Sequence, residues 1–133
     1  MFDKLNTTFD IDVAAPTGGV NWIPATKWFD LQINGLEQQW TGFVWCNPPY
    51  SNPTPFIDKF MTHANGIMLV QVSKSNAFIR LWNEAGAIMM LPRNIMFEHK
   101  DHGVKGIFMP VALFAMGDRA ISCLHASGIN KVR

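Results

Sequence analysis

A chain of 133 residues predicts one domain, residues 1–133, built as a minimal core. With 11 Lys and Arg against 10 Asp and Glu the net charge is +1, which excludes strong nonspecific nucleic-acid binding by bulk charge. Hydrophobic residues at 48% and charged residues at only 16% fill a core and leave apolar surface over, which predicts a homodimer or a larger partner.

Phe9 to Ala15 reads as a first buried strand, interrupted by Asp12, where a carboxylate is costly without a partner. Asp12 therefore either meets a partner or caps a helix or lies on an exposed strand face. Gly18 and Gly19 allow a tight turn nearby, but no Gly-x-Gly-x-x-Gly occurs, so a dinucleotide site is not supported. Residues Trp22 to Trp40 lack a clear period and predict loop, a short strand and a short helical turn. Trp28 and Phe29 are candidates to sandwich a flat ring, or else core. Asp30 and Asn34 are polar candidates for ligand contact, and Trp40 packs under the next strand.

That strand is Gly42-Phe43-Val44-Trp45-Cys46, and at its carboxyl end stands Asn47-Pro48-Pro49-Tyr50, where open α/β sheets keep their ligand sites. Prolines 48 and 49 fix φ and remove two donors, so carbonyls are presented in a stiff turn. The Asn47 side-chain oxygen and the Pro48 carbonyl suit the two protons of a planar amine, whose lone pair must be drawn out of its ring before it can accept a methyl group. Tyr50 can stack on that ring. Placement and electrostatics carry such chemistry, and no side chain needs a perturbed pKa. A proline-rich turn without chemistry is the alternative.

Phe56 to Ala64 predicts an amphipathic helix with Phe56, Ile57 and Phe60 inward and Asp58 and Lys59 outward, Lys59 reaching either a phosphate or solvent. Ile67 to Val72 is a further strand, Ser75 caps a helix over Asn76 to Glu84, and Gly86 ends it. Ala87 to Leu91 and Asn94 to Phe97 predict strand segments around Pro92-Arg93, Asp101 to Lys105 a polar loop, and Val111 to Met116 the last strand. Asp118 caps a terminal helix to about Ala126, and the basic end with Arg119, His125, Lys131 and Arg133 reads as a solvated tail or a phosphate contact. Alternating strands and helices predict a mostly parallel sheet covered on both faces. The two cysteines, Cys46 and Cys123, read as reduced and structural. His63, His99, His102 and His125 have no metal-ligand spacing, so no metal is expected. No signal peptide or membrane-length apolar run is visible, which predicts a soluble, cytoplasmic protein with no membrane partner.

Wider stretches resemble one family. Phe2-Asp3-Lys4-Leu5-Asn6, Phe9 to Ala15, Asn34-Gly35-Leu36, Trp40, Gly42, Trp45 to Tyr50, Phe56 to Lys59, Met68-Leu69-Val70 and Arg93 to Phe97 are similar, in order, to the small phage and prophage DNA N-6-adenine methyltransferases, Dam-like proteins with an Asn-Pro-Pro-Tyr motif. The resemblance implies an α/β, Rossmann-like class I methyltransferase fold and S-adenosylmethionine as cofactor. It implies methylation of the N6 amine of an adenine flipped out of DNA, with Asn47, Pro48, Pro49 and Tyr50 catalytic. Asp12 would face the cofactor's methionine ammonium, and Ala14, Asp30, Asn34 and Asn47 would complete that site, with Lys59 and Arg93 on DNA. The family usually carries a segment ending in Thr-Pro ahead of its Phe-Asp, absent before Met1, so either the sequence is short at this end or the cofactor pocket lacks one wall. Asn34 stands where Asp is common. Asn-Pro-Pro-Tyr also resembles the sites of enzymes acting on RNA bases or protein glutamine, and a degenerate fold that only binds DNA or protein is the remaining alternative.

Overall fold

Apolar residues alternating along short strands feed two cores, one on each face of a central sheet. The computed structural model describes residues 1–92, 96–99, 103–106 and 110–133, with side chains omitted for 96–99 and 103–106. In chain order they are helix α1 (Phe2–Leu5), β1 (Phe9–Asp12), β2 (Ala25–Trp28), a 3-10 turn at Gly35–Glu37, β3 (Val44–Cys46), α2 (Thr54–His63) and β4 (Gly66–Gln71). Then come α3 (Asn76–Glu84), β5 (Ala87–Met90), β6 (Met96–His99), β7 (Gly103–Gly106), β8 (Val111–Met116) and α4 (Asp118–Ser127). Six strands form one sheet in the order β2-β1-β3-β4-β8-β5, and β6 and β7 form a separate antiparallel pair.

The period of two decides which helix covers which face. On β4, Met68 and Val70 join Ile57 and Phe60 of α2 and Phe78 and Leu81 of α3, while Ile67 and Leu69 join Leu5 of α1 and Ala120 and Leu124 of α4. Helices on both faces are thus as expected. The mostly parallel sheet is corrected: β1 pairs in parallel with β2 and β3, and β3 with β4, but β8 runs antiparallel to both β4 and β5, so the sheet is mixed. The described residues between β5 and β8 carry the β6–β7 hairpin and no crossover helix, and only a parallel return demands such a crossover.

Local signals hold at most boundaries. Ser75 caps α3 by accepting the Phe78 N–H at 3.1 Å, and α2 begins behind Pro53 with Pro55 in its first turn. Asp118 is not a cap but the first residue of α4, where its carboxylate meets the positive end of the helix dipole. The basic end is a solvated tail only in part: His125 and Lys131 are exposed, while Arg119 and Arg133 are held against the fold. Arg119 donates to Thr7 Oγ1 and the Thr8 carbonyl and lies 4.2 Å from the Phe43 ring centroid. Arg133 exchanges backbone hydrogen bonds with Ile88 at 2.9 and 3.2 Å and places its guanidinium over Trp82, which closes the outer border of β5. Arg93 lies outside the described residues. No helix among the described residues is long and apolar enough to cross a membrane.

Ser75→Ala should lower stability by about 1 kcal/mol, read from the urea midpoint at unchanged slope, because a helix N-terminal N–H loses its acceptor.

Candidate active site

From β1 the chain crosses to β2 on one side, whereas from β3 it crosses through α2 to β4 on the other. Connections that part in this way leave a crevice beyond the carboxyl ends of neighbouring parallel strands. A cleft of about 1140 Å³ opens there, and Asp12, Ala14, Asp30, Asn34, Asn47 and Pro49 all line it. On another side it is bounded by Met1, Phe2 and Asp3 at α1.

Asp12 ends β1, three residues short of the expected strand end, and it is 3% exposed. Its Oδ1 accepts the Ala14 N–H at 3.3 Å, and burial pushes its carboxyl up to about 6. The side chain is neither a helix cap nor on an exposed face. Such a group is at ease only when protonated or when a cation comes to it.

Asp30 is also buried, but its oxygens are engaged: Oδ2 accepts the Gly18 N–H and Oδ1 the Ile33 N–H, each at 3.0 Å. Those two bonds hold its carboxyl below the usual range and tie the turn at Gly18 to the loop after β2. Asn34 adopts the left-handed conformation with φ 61°, and its Oδ1 accepts the Leu36 N–H at 3.2 Å, capping the 3-10 turn. Gly35 follows because a Cβ there would lie 2.1 Å from the Val13 carbonyl oxygen, so this turn sits flush on the end of β1. The aromatic sandwich is corrected. Phe29 is buried and lines the cleft, while Trp28 is exposed, covers Gly19 and is absent from the lining, because neighbouring residues of an extended chain point to opposite sides.

At the end of β3 the motif divides. Asn47 and Pro49 line the cleft, Pro48 is buried outside the lining, and Tyr50 is 55% exposed and also outside it. Burial of the rest of the Tyr50 ring raises its phenol pKa. Asn52 and Phe56 join the lining; the sequence marked Phe56 only as a core-facing helix residue and did not mark Asn52. Lys59 is corrected from outward to inward: its ammonium donates to the Leu36 carbonyl at 2.8 Å and to the Gln38 carbonyl, and lies 5.3 Å from the Trp40 ring centroid. It clamps the 3-10 turn, so it is not placed as a phosphate contact. Trp40 packs in the core with Val44 and Cys46, as expected.

Trp45 was visible only as a residue of the apolar strand ahead of the motif. Paired in register with Asp12, it is 1% exposed, lines the cleft, and packs edge-on to Phe2 with centroids 4.8 Å apart. Its indole Nε1 is buried with no hydrogen-bond partner among the described residues. Cys46 and Cys123 are free, and burial first, then the Asp12 charge, raises the Cys46 thiol well above its ordinary pKa.

A family model described as DNA N-6-adenine-methyltransferase (Dam) matches residues 1–102. No curated protein matches the chain, and no solved structure does.

Because the Asp12 carboxyl rises from 3.8 to about 6 on folding, its favourable contribution is complete below 3.8 and lost as pH climbs through 6, a cost of about 3 kcal/mol above that point. Asp12→Asn should remove this dependence, leaving the variant more stable than wild type at pH 7.5 and closer to it at pH 4.5 in urea melts. Lys59→Met should lower stability by about 1 kcal/mol, since two carbonyls lose a charged donor; an unchanged melting temperature would contradict the clamp.

Proposed function

Because the chain belongs to the DNA N-6-adenine-methyltransferase family, matched over residues 1–102, we propose that it transfers a methyl group from S-adenosylmethionine to the N6 amine of adenine in DNA, on a Rossmann-like class I sheet. The observation that carries this reading is the meeting of Asp12 and Asn47 in one cleft, at the ends of the adjacent parallel strands β1 and β3.

The residues present fit the cofactor. The cleft exceeds the usual span of small-molecule sites, Phe29 and Phe56 offer apolar ring faces, and the buried Asp12 carboxylate lacks the cation that a methionine ammonium provides. The group, when bound, supplies an activated methyl on a sulfonium sulfur. Asp12 holds the amino-acid end, with Ala14 and the loop fixed by Asp30 and Asn34 shaping the wall beside it. A cation at Asp12 stabilises the ionised carboxylate, so cofactor affinity should rise with pH through about 6.

The Asn47 side chain carries no hydrogen bond among the described residues, which leaves its oxygen available to accept one N6 proton while the Pro48 carbonyl accepts the other. Both interactions draw electron density toward the nitrogen that attacks. An adenine reaches them only after leaving the duplex, and the half-exposed Tyr50 ring offers it a stacking surface. With Lys59 turned inward, Arg93 remains the proposed contact to DNA.

Asn47→Ala should reduce methyl transfer to adenine-containing duplex DNA by at least about 100-fold while calorimetric affinity for S-adenosylmethionine stays nearly unchanged. Unchanged turnover would remove Asn47 from this role, and cofactor binding without transfer in wild type would favour a binding-only protein.

A further inference from the structure

We infer that the Trp45 indole N–H is the anchor for the carboxylate of the cofactor's amino-acid end, making Trp45 and Asp12 a two-point receptor for an α-amino-acid zwitterion. This rests on the methyltransferase reading and adds a residue to it.

Trp45 holds the one buried side-chain polar atom that lacks a partner among the described residues. Buried donors are paired almost everywhere in folded proteins, since an unmade bond leaves the full cost of desolvation. The orphan belongs to a residue that is part of the buried core cluster and also lines the cleft. Its neighbour in register is Asp12, on the adjacent parallel strand, so the two side chains leave the same face of the sheet from backbones roughly 5 Å apart.

The pair is chemically complementary to one kind of ligand end. Asp12 is a buried acceptor whose carboxyl calls for a cation, and Trp45 offers a donor and no acceptor. An α-amino acid carries an ammonium and a carboxylate on a single carbon, which matches a carboxylate and a donor on adjacent strands. An adenine ring or a ribose presents no such charge pair. Trp45 is thus a binding residue: it fixes where the amino-acid end lies and so how far along the cleft the rest of the ligand extends.

The test compares S-adenosylmethionine with its decarboxylated analogue, in which hydrogen replaces the carboxylate, by calorimetry on wild type and Trp45→Phe. Wild type should prefer the carboxylate-bearing ligand by about tenfold to a hundredfold, and the variant should bind both within about threefold. The ratio within each protein is independent of how much the substitution costs in folding, which circular dichroism follows separately. If the variant does not fold, the indole N–H resonance of Trp45 in the wild type decides: it should move downfield with S-adenosylmethionine and stay in place with the analogue. An equal ratio in both proteins, or an unmoved resonance, overturns the assignment while leaving cofactor binding intact. Failure of wild type to bind either ligand overturns both the cofactor reading and this inference.

Discussion

Along the seam between β1 and β3, the Asp10 N–H meets the Phe43 carbonyl at 2.7 Å and the Val13 N–H meets the Trp45 carbonyl at 3.0 Å, and a side chain locks this pairing in place. Asp10 Oδ2 accepts the Phe43 N–H at 2.7 Å, and Gly42, with φ 75°, leaves room for it, since a Cβ there would sit 2.2 Å from that oxygen. A shift of one residue would turn every side chain of a strand to the other face. The seam therefore decides that Asp12 stands beside Trp45 and that Asn47, two residues on, reaches the same cleft.

The site is built against local stability. A carboxyl, a thiol and an indole N–H are buried at the ends of adjacent strands, the first two with their ionised forms disfavoured and the third without a partner among the described residues. Surrounding them is a core that can carry the load: Phe9 stacks on Phe43 at 5.1 Å, Trp45 leans on Phe2 and Phe9, and Phe114 meets Phe78 and Trp82 on the opposite face. Fixed dipoles and unpaired groups in a rigid frame are what electrostatic catalysis and selective binding require.

How far the sequence was legible depends on how local the signal is. Helix α3 was readable to its ends because Ser75 and the apolar spacing act within a few residues, and the turn after β3 was readable because two prolines constrain their own neighbours, although the sequence did not show that Asn47 and Pro49 alone of the four would line the cleft. The direction of β8 was not, since an apolar run reads the same in a parallel or an antiparallel place. Lys59 misled because a helical wheel places a charge outward by default, whereas four methylenes let its ammonium reach carbonyls on another segment. Asp30 and Asn34 were found as residues, yet their bonds to backbone N–H groups depend on loops whose path no period encodes. The docking of Arg133 on Ile88 was hidden for the same reason.

The two borders of the sheet are treated differently, and that difference bears on how copies of the chain meet. Beyond β5, the final residues lie along the strand, with the Asn130 side chain also donating to the Met90 carbonyl at 2.9 Å, so no row of bare backbone groups is offered there. At β2 no described strand pairs on the outer side, and only four residues and the Lys27 charge discourage an incoming chain. Among the described residues, edge-to-edge growth of the six-stranded sheet is thus left to the β2 border, whose flanking residues Ile23 and Phe29 line the cleft, so an aggregate nucleated there would crowd the cleft before it disturbed the core.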